Sequence, residues 1–227
     1  MMHNGRFKLY WYEAKATYPE LLWGLVLVTG AWFVVFLSPY KNDNLEYFIL
    51  IVEIVAPLGI MFIANGLIFN EYEKGILLFL AIRSSLPILW LRRLGSLLSI
   101  ATLWLALLLA ISRLFYPALP IGKMITAFLG GSVALSGMSS AISLALKDRN
   151  VGLLVGVFWW GFCLVSSRVA FAILGPYFYL FYLWFRFREG VEPVAWALNK
   201  SALSVIGFLA IVVGVFCLRS TERFFTS

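Results

Sequence analysis

The sequence predicts an all-α integral membrane protein, and three observations support that prediction. Hydrophobic residues make up 62% of the 227 residues and charged residues only 13%, against about 25% charged residues in soluble globular proteins. Six apolar stretches each approach the roughly 20 residues that a helix needs to cross a hydrocarbon core of about 30 Å. None of them alternates apolar and polar residues as the strand of a membrane barrel does. We therefore expect one transmembrane domain over residues 1–227, without a second soluble domain.

Short polar or proline-containing breaks separate the six predicted transmembrane helices. Ser38–Glu46 and Ser112–Gly122 have the turn chemistry of external loops, and Lys147–Asn150 is a four-residue turn on the other side. An even number of spans places both chain termini on one side of the membrane. In chain order the predicted spans are Glu20–Leu37, Tyr47–Phe69, Leu94–Ile111, Met124–Leu146, Val151–Leu174 and Ser201–Leu218.

The N-terminal segment, residues 1–19, is predicted to form an interfacial helix. Phe7, Tyr10, Trp11 and Tyr18 recur at helical spacing, and Trp and Tyr prefer the depth of the membrane interface. The alternative is a partly ordered tail that lies near lipid. No small-residue cleavage site precedes the first span, so we expect that span to remain as a permanent anchor.

The distribution of charge predicts the orientation of the chain. There are 18 Lys and Arg residues against 11 Asp and Glu residues, a formal net charge of +7. The side that holds both termini carries the larger share of the basic residues, and cytoplasmic loops are the ones enriched in Lys and Arg. We expect both termini in the cytoplasm. The basic excess is interpreted as membrane orientation and lipid contact, not as nucleic-acid binding.

The third external segment, Gly175–Lys200, is unusually aromatic. Seven Tyr, Phe and Trp residues precede its first charged residue, Arg186, and an eighth, Phe187, follows it. So much aromatic surface would not stay loose in water. We expect re-entrant or interfacial helices that are buried in the outer leaflet before the sixth span. The alternative is that part of the segment extends the fifth span.

Small residues dominate the fourth span and open the fifth. The fourth contains Gly130, Gly131 and Gly137 among several Ser and Ala residues, and Gly152 and Gly156 form a GxxxG pattern. Small faces let helix backbones approach closely, since lipid supplies no hydrophobic drive between helices. Close packing is the commoner use of such faces, ahead of a substrate path.

The hairpin Asn70–Gly95, predicted on the cytoplasmic side, is the most charged internal segment between two spans. Glu71 and Glu73 begin it, and Gly75 permits a backbone geometry that other residues resist. The apolar run that follows Gly75 is too short to cross a bilayer and should lie along the membrane surface. Ser84 or Ser85 is placed to cap a new helix with Pro87 in its first turn.

This hairpin resembles the coupling element of the permease subunits of ABC-2 type (type V) ABC transporters. Glu71, Glu73, Gly75 and Leu77 match that pattern, and Arg83 and Ser84 lie at the turn that leads to the third span. Ser84 stands where the family commonly has proline, and Leu78 stands where an acidic residue is common. The six-span count, the amphipathic start and the membrane-associated stretch before the last span also agree with the family.

The resemblance implies a permease subunit of an ATP-driven exporter in the cell membrane of a prokaryote. The chain has no phosphate-binding loop of the form GxxxxGK[ST], so ATP and Mg²⁺ would be bound by a separate cytoplasmic ATPase. A second permease copy or a paralogue would complete the membrane part. The cargo would be amphipathic: a lipid, a glycan, a peptide or a drug. The alternative is a non-transport scaffold, such as an immunity or sensory component, that binds a partner protein.

Polar residues within the predicted spans are candidates for a cavity or gate. Glu53 and Arg168 are predicted at matching depth from the outer ends of the second and fifth spans, which the resemblance implies line a central cavity. Because an unpaired charge in hydrocarbon is costly, we hypothesise that they form an ion pair. The alternative is that Arg168 reaches the headgroups and Glu53 is protonated. Further candidates are Asn65, Ser166 and Ser167, although a bond to a neighbouring helix backbone is the commoner use of such residues. Pro57 is expected to kink the second span.

No catalytic or metal-binding pattern is present in the sequence. His3 is the sole histidine, and no GxSxG or HExxH motif occurs. The cysteines Cys163 and Cys217 both lie in predicted spans, where free thiols behave as small hydrophobes. We therefore expect that this chain is not itself an enzyme and binds no cofactor.

Overall fold

We describe the chain from a computed structural model. The structure describes residues 22–26, 28–30, 32–33, 49, 51–73, 85–117, 119–165, 180–183 and 193–226. Within these residues every regular element is a helix and no strand occurs. The predicted all-α class is thereby confirmed for the described part of the chain.

Five helices account for most of the described residues. They are α1 (Ala56–Glu73, preceded by the π-helical segment Ile51–Val55), α2 (Leu86–Arg113), α3 (Ile121–Leu146), α4 (Arg149–Val165) and α5 (Pro193–Thr226). Short helical stretches also occur within residues 22–33. The predicted interfacial helix over residues 1–19 lies outside the described residues.

Three of these helices are long and apolar enough to cross a membrane: Leu86–Arg113, Ile121–Leu146 and Val194–Ser220. They correspond to the predicted third, fourth and sixth spans. Ile51–Leu67 and Arg149–Leu164 are shorter apolar helices at the positions of the second and fifth. By the length and composition of its helices the chain is a membrane protein.

The central helix of the bundle is α3, which packs against α1, α2, α4 and α5. Its small residues allow that position. A side chain at Gly137 would meet the Gly207 backbone of α5, and one at Gly152 of α4 would meet the Ser139 backbone of α3. The small-residue face is thus used for close helix packing.

A tight turn connects α3 to α4. Lys147 ends α3 in the left-handed conformation, at φ 56° and ψ 28°, and the Asp148 N–H donates to the Ser143 carbonyl at 3.1 Å. The Asp148 carboxylate accepts from the Asn150 N–H at 2.8 Å, which satisfies a free donor at the start of α4. Two residues therefore reverse the chain, consistent with the short turn that the sequence predicted.

Pro57 is the second residue of α1, one residue after the π-helical segment Ile51–Val55. Proline has no N–H, so the carbonyl of Glu53, four residues earlier, loses its usual helical donor. The sequence predicted a kink at Pro57; the structure has a widened turn just before it. Such π-helical turns are rare and frequent at functional sites.

Two helices begin about eight residues before the predicted spans. α2 begins at Leu86 rather than Leu94, after Ser85 at the N-cap position and with Pro87 in the first turn. α5 begins at Pro193 rather than Ser201. Proline is favoured in a first helical turn because its missing N–H has no helical partner there. The second shift moves Lys200 from the predicted external segment into a helix.

Candidate functional site

A buried ion pair joins the π-helical segment before α1 to the second turn of α5. The Lys200 Nζ of α5 lies 3.8 Å from Glu53 Oε1 in the π-helical segment, and these side chains are 2% and 5% exposed. We call this end of the molecule, where α1, α3 and α5 begin, the Glu53 end. Glu53 was predicted to be a buried polar residue, and its burial is confirmed. Lys200 was not predicted as its partner.

Glycines of α3 make room for both charged residues. A side chain at Gly130 would meet the Lys200 carbonyl oxygen at 3.3 Å, and one at Gly131 would meet Pro57 at 3.3 Å. The Pro57 ring of α1 and the α5 backbone therefore lie against the same turn of α3. Because both helices approach α3 this closely, the Glu53 and Lys200 side chains meet inside the bundle.

A cavity of about 30 Å³ opens beside Glu53. This volume has room for water, since about 10–15 Å³ admits one molecule. Glu53 and Lys123 supply its charged walls, and Lys123 is itself exposed. The remaining lining residues are Ile49, Val52, Pro120, Met124 and Trp196. Glu53 thus lines a space suited to water and also lies beside Lys200.

Residues 180–183 of the predicted aromatic segment are held at the same end by three side chains. The Trp159 Nε1 of α4 donates to the Phe181 carbonyl at 3.2 Å. The Asn199 Nδ2 donates to the Tyr182 carbonyl at 2.9 Å, and the Lys200 Nζ donates to the Leu183 carbonyl at 3.4 Å. Three successive carbonyls are therefore bound by two helices.

A second polar cluster lies deeper in the bundle. The Asn65 Nδ2 of α1 donates to Ser139 Oγ at 2.7 Å, and Ser139 Oγ donates to the Gly152 carbonyl at 2.7 Å. Asn65 is 1% exposed and lies about 18 Å along the helix from Glu53 at 1.5 Å per residue. The two candidates that the sequence placed in one cavity are thus separate, and Asn65 serves helix packing.

Arg93 forms a buried contact that the sequence analysis missed. Its side chain is 6% exposed, and its Nη1 donates to the Leu67 carbonyl at 2.7 Å, which joins α2 to α1. The signal that would have revealed a buried role is the earlier start of α2, which places Arg93 two turns inside the helix.

The other predicted site residues are placed as follows. Glu71 and Glu73 lie in the last turn of α1. The proposed ion-pair partner Arg168, with Ser166 and Ser167, lies outside the described residues, so the Glu53–Arg168 pair stays a hypothesis. Of the hairpin residues, Gly75, Leu77, Arg83 and Ser84 also lie outside them.

The described residues contain no group of three or more His, Cys, Asp or Glu side chains that could hold a metal ion. Both cysteines are free thiols, as predicted. Among the described residues, the charged side chains at the Glu53 end include Glu53, Lys200, Lys123 and Arg113, beside the bound carbonyls of residues 181–183. Comparison of the chain with known protein families, characterised proteins and solved structures finds no match.

Proposed function

We propose that this chain is the membrane-spanning permease subunit of an ATP-driven exporter. The observation that carries the proposal is the sequence of the hairpin Asn70–Gly95, which has the acidic pair, glycine and apolar run of a coupling element. Its setting supports the assignment. α1 ends at Glu73 and α2 begins at Leu86, and these two helices pack against each other.

The contact between Arg93 and Leu67 also supports the proposal. It fixes α1 to α2 about two turns from where α1 ends, at Glu73, and from where α2 begins, at Leu86. A guanidinium bound to a buried carbonyl is a strong, charge-assisted contact. A force applied to the hairpin would therefore move α1 and α2 as one unit.

Hydrolysis in this scheme belongs to a separate cytoplasmic ATPase that binds ATP and Mg²⁺. The permease would work as a pair with a second copy or a paralogue in the cell membrane. The substrate would be amphipathic, since it must leave a bundle whose described surface is mostly apolar. Alternating access would follow from ATPase closure, which pushes the two hairpins and rocks the two bundles.

Purification of the complex tests the proposal. The chain is expected to co-purify with an ATPase whose turnover rises when the chain is present in lipid. Glu71→Lys and Gly75→Val should each abolish that rise while the bundle remains folded. Asp148→Asn is the matched control, because it removes a charge from another turn on the same predicted side and keeps a side chain able to cap α4.

Two outcomes would contradict the proposal. If both hairpin variants keep the full rise in turnover, the hairpin is not the coupling element. If a bound partner shows no nucleotide turnover at all, the chain is a scaffold for that partner.

A further inference from the structure

We propose that residues 180–183 form a lid over the Glu53 end of the bundle, and that Lys200 latches the lid with Glu53 as its counter-ion. The inference concerns the described residues of that end alone. It does not depend on an ATPase or on the direction of transport.

The lid is attached by its backbone carbonyls. Phe181, Tyr182 and Leu183 each accept one bond from Trp159, Asn199 and Lys200 respectively. Trp159 and Asn199 are neutral donors, whereas Lys200 is a cation bound to the last of the three carbonyls. The strength of the Lys200 contact therefore depends on nearby charges, whereas the strength of the two neutral contacts does not.

Leu183 is the residue that seals the lid. Its side chain is 1% exposed and belongs to an apolar cluster with Ile54 of the π-helical segment, Met61 of α1 and Leu203 of α5. Cys163 of α4 belongs to the same cluster and is 2% exposed, and its Sγ lies 3.9 Å from the Phe181 carbonyl. Raising the lid would therefore uncover an apolar surface between α1, α4 and α5.

Lys200 links this lid to Glu53 in the π-helical segment before α1. Its ammonium lies between the Leu183 carbonyl at 3.4 Å and Glu53 Oε1 at 3.8 Å. An ammonium buried in apolar surroundings is retained there only with an anion nearby. Glu53 also lines the cavity of about 30 Å³. Water or a solute that competes for Glu53 through this cavity would weaken the hold of Lys200 on the lid.

The native Cys163 is a built-in reporter of lid opening. In a Cys217→Ala background it is the one remaining cysteine. Its thiol is expected to react with a small maleimide only when the lid is raised. The rate of labelling then measures the population of the open state, as hydrogen exchange measures local opening. The chain is reconstituted in lipid nanodiscs, and size-exclusion elution with helix content confirms that each variant is folded.

Lys200→Met and Glu53→Gln are each expected to raise the Cys163 labelling rate about tenfold or more, as the loss of one charge-assisted bond implies. Arg113→Gln is the matched control, because it removes an exposed charge at the same end without touching the lid. An unchanged rate in folded Lys200→Met would overturn the latch. A rise in Lys200→Met without one in Glu53→Gln would overturn the role of Glu53.

Two further variants separate a latch from a merely stabilising ion pair. Lys200→Arg keeps a charged donor and should keep Cys163 protected. The swap E53K/K200E restores opposite charges, but a carboxylate at position 200 accepts and does not donate. The swap should therefore regain resistance to unfolding while Cys163 still labels fast. Protection of Cys163 in the swap would show that pairing alone closes the lid and would overturn Lys200 as its donor.

Discussion

Glu53 and Lys200 are charged side chains that are almost entirely buried in an apolar bundle. Their pairing therefore determines how much the burial of each charge destabilises the folded state. Replacing both members of a buried pair by neutral groups is often tolerated, whereas removing one leaves a buried charge without compensation. The pair is therefore weak evidence for stability. It is better understood as a contact whose loss has a defined consequence for its neighbours.

This difference gives a prediction for stability. Lys200→Met or Glu53→Gln alone should destabilise the bundle by about 3–5 kcal/mol, the range for breaking a buried pair. The double variant E53Q/K200M should cost less than the sum of the two single variants. Unfolding in mixed micelles of rising SDS content measures all three, with Arg113→Gln as the control. Additive losses would show that the two side chains are not energetically coupled.

Ser139 is the residue through which three helices share one polar contact. Ser139→Ala leaves both the Asn65 amide and the Gly152 carbonyl without the hydroxyl that now binds them. The expected cost is about 1 kcal/mol, which is typical of hydrogen bonds between membrane helices. Ser136→Ala is the matched control, because the Ser136 hydroxyl bonds only the Ser132 carbonyl of its own helix among the described contacts. The same SDS titration measures both, and equal losses would remove any special role for Ser139.

At the scale of elements, the crossing of α3 and α5 depends on the absence of side chains. A Cβ at Gly207 would overlap the Val133 backbone, whereas one at Gly95 would meet nothing within 4 Å. Gly207→Leu should therefore separate the two helices and cost several kcal/mol through lost packing, while Gly95→Leu should be nearly neutral. Retention of the folded elution volume and SDS resistance by Gly207→Leu would contradict this close packing.

The sequence predicted the helices better than it predicted their ends. Composition alone identified the regions of α2, α3 and α5, because a long apolar run has few other structures in a membrane. The hydropathy criterion set the starts at Leu94 and Ser201, since it treats a charged residue as a boundary. Arg93 and Lys200 are charged and still helical, because each finds a partner inside the bundle. Their long apolar stems also suit burial.

Partners in space could not be predicted in the same way. Depth along a helix pointed from Glu53 to Arg168, which lies outside the described residues, so that pair stays a prediction. Depth could not point to Lys200, because it does not say which helices face each other. The π-helical segment also changes the direction in which Glu53 points, and only Pro57 gave a hint of irregular geometry in the sequence. The prediction that the polar side chain of Asn65 points into the bundle is confirmed by its burial. Asn65 nevertheless lies away from the Glu53 end, because the rise along the helix separates the two residues.

For the whole molecule, the outward faces of the described helices are broadly apolar. Leu103 of α2, Phe158 of α4 and Phe208 of α5 are all more than 60% exposed. Such faces are compatible with lipid, since the bilayer core is as apolar as these side chains. The polar contacts are instead inside, at the Glu53 end, at Ser139 and near the hairpin. The interior therefore determines how the helices are arranged.

The orientation of this bundle in the membrane tests the prediction, made from the distribution of Lys and Arg residues, that both termini lie in the cytoplasm. Arg113 is the last residue of α2 and Asn150 is in the first turn of α4. They lie at opposite ends of α3, whose 26 residues span about 39 Å. In a Cys163→Ser, Cys217→Ser background, Arg113→Cys should react with a membrane-impermeant maleimide that is added to spheroplasts, whose cytoplasmic membrane is intact. Asn150→Cys should react only after the membrane is opened, because the positive-inside rule places its turn in the cytoplasm. The reverse pattern would place the hairpin Asn70–Gly95 outside the cell, where no ATPase could drive it.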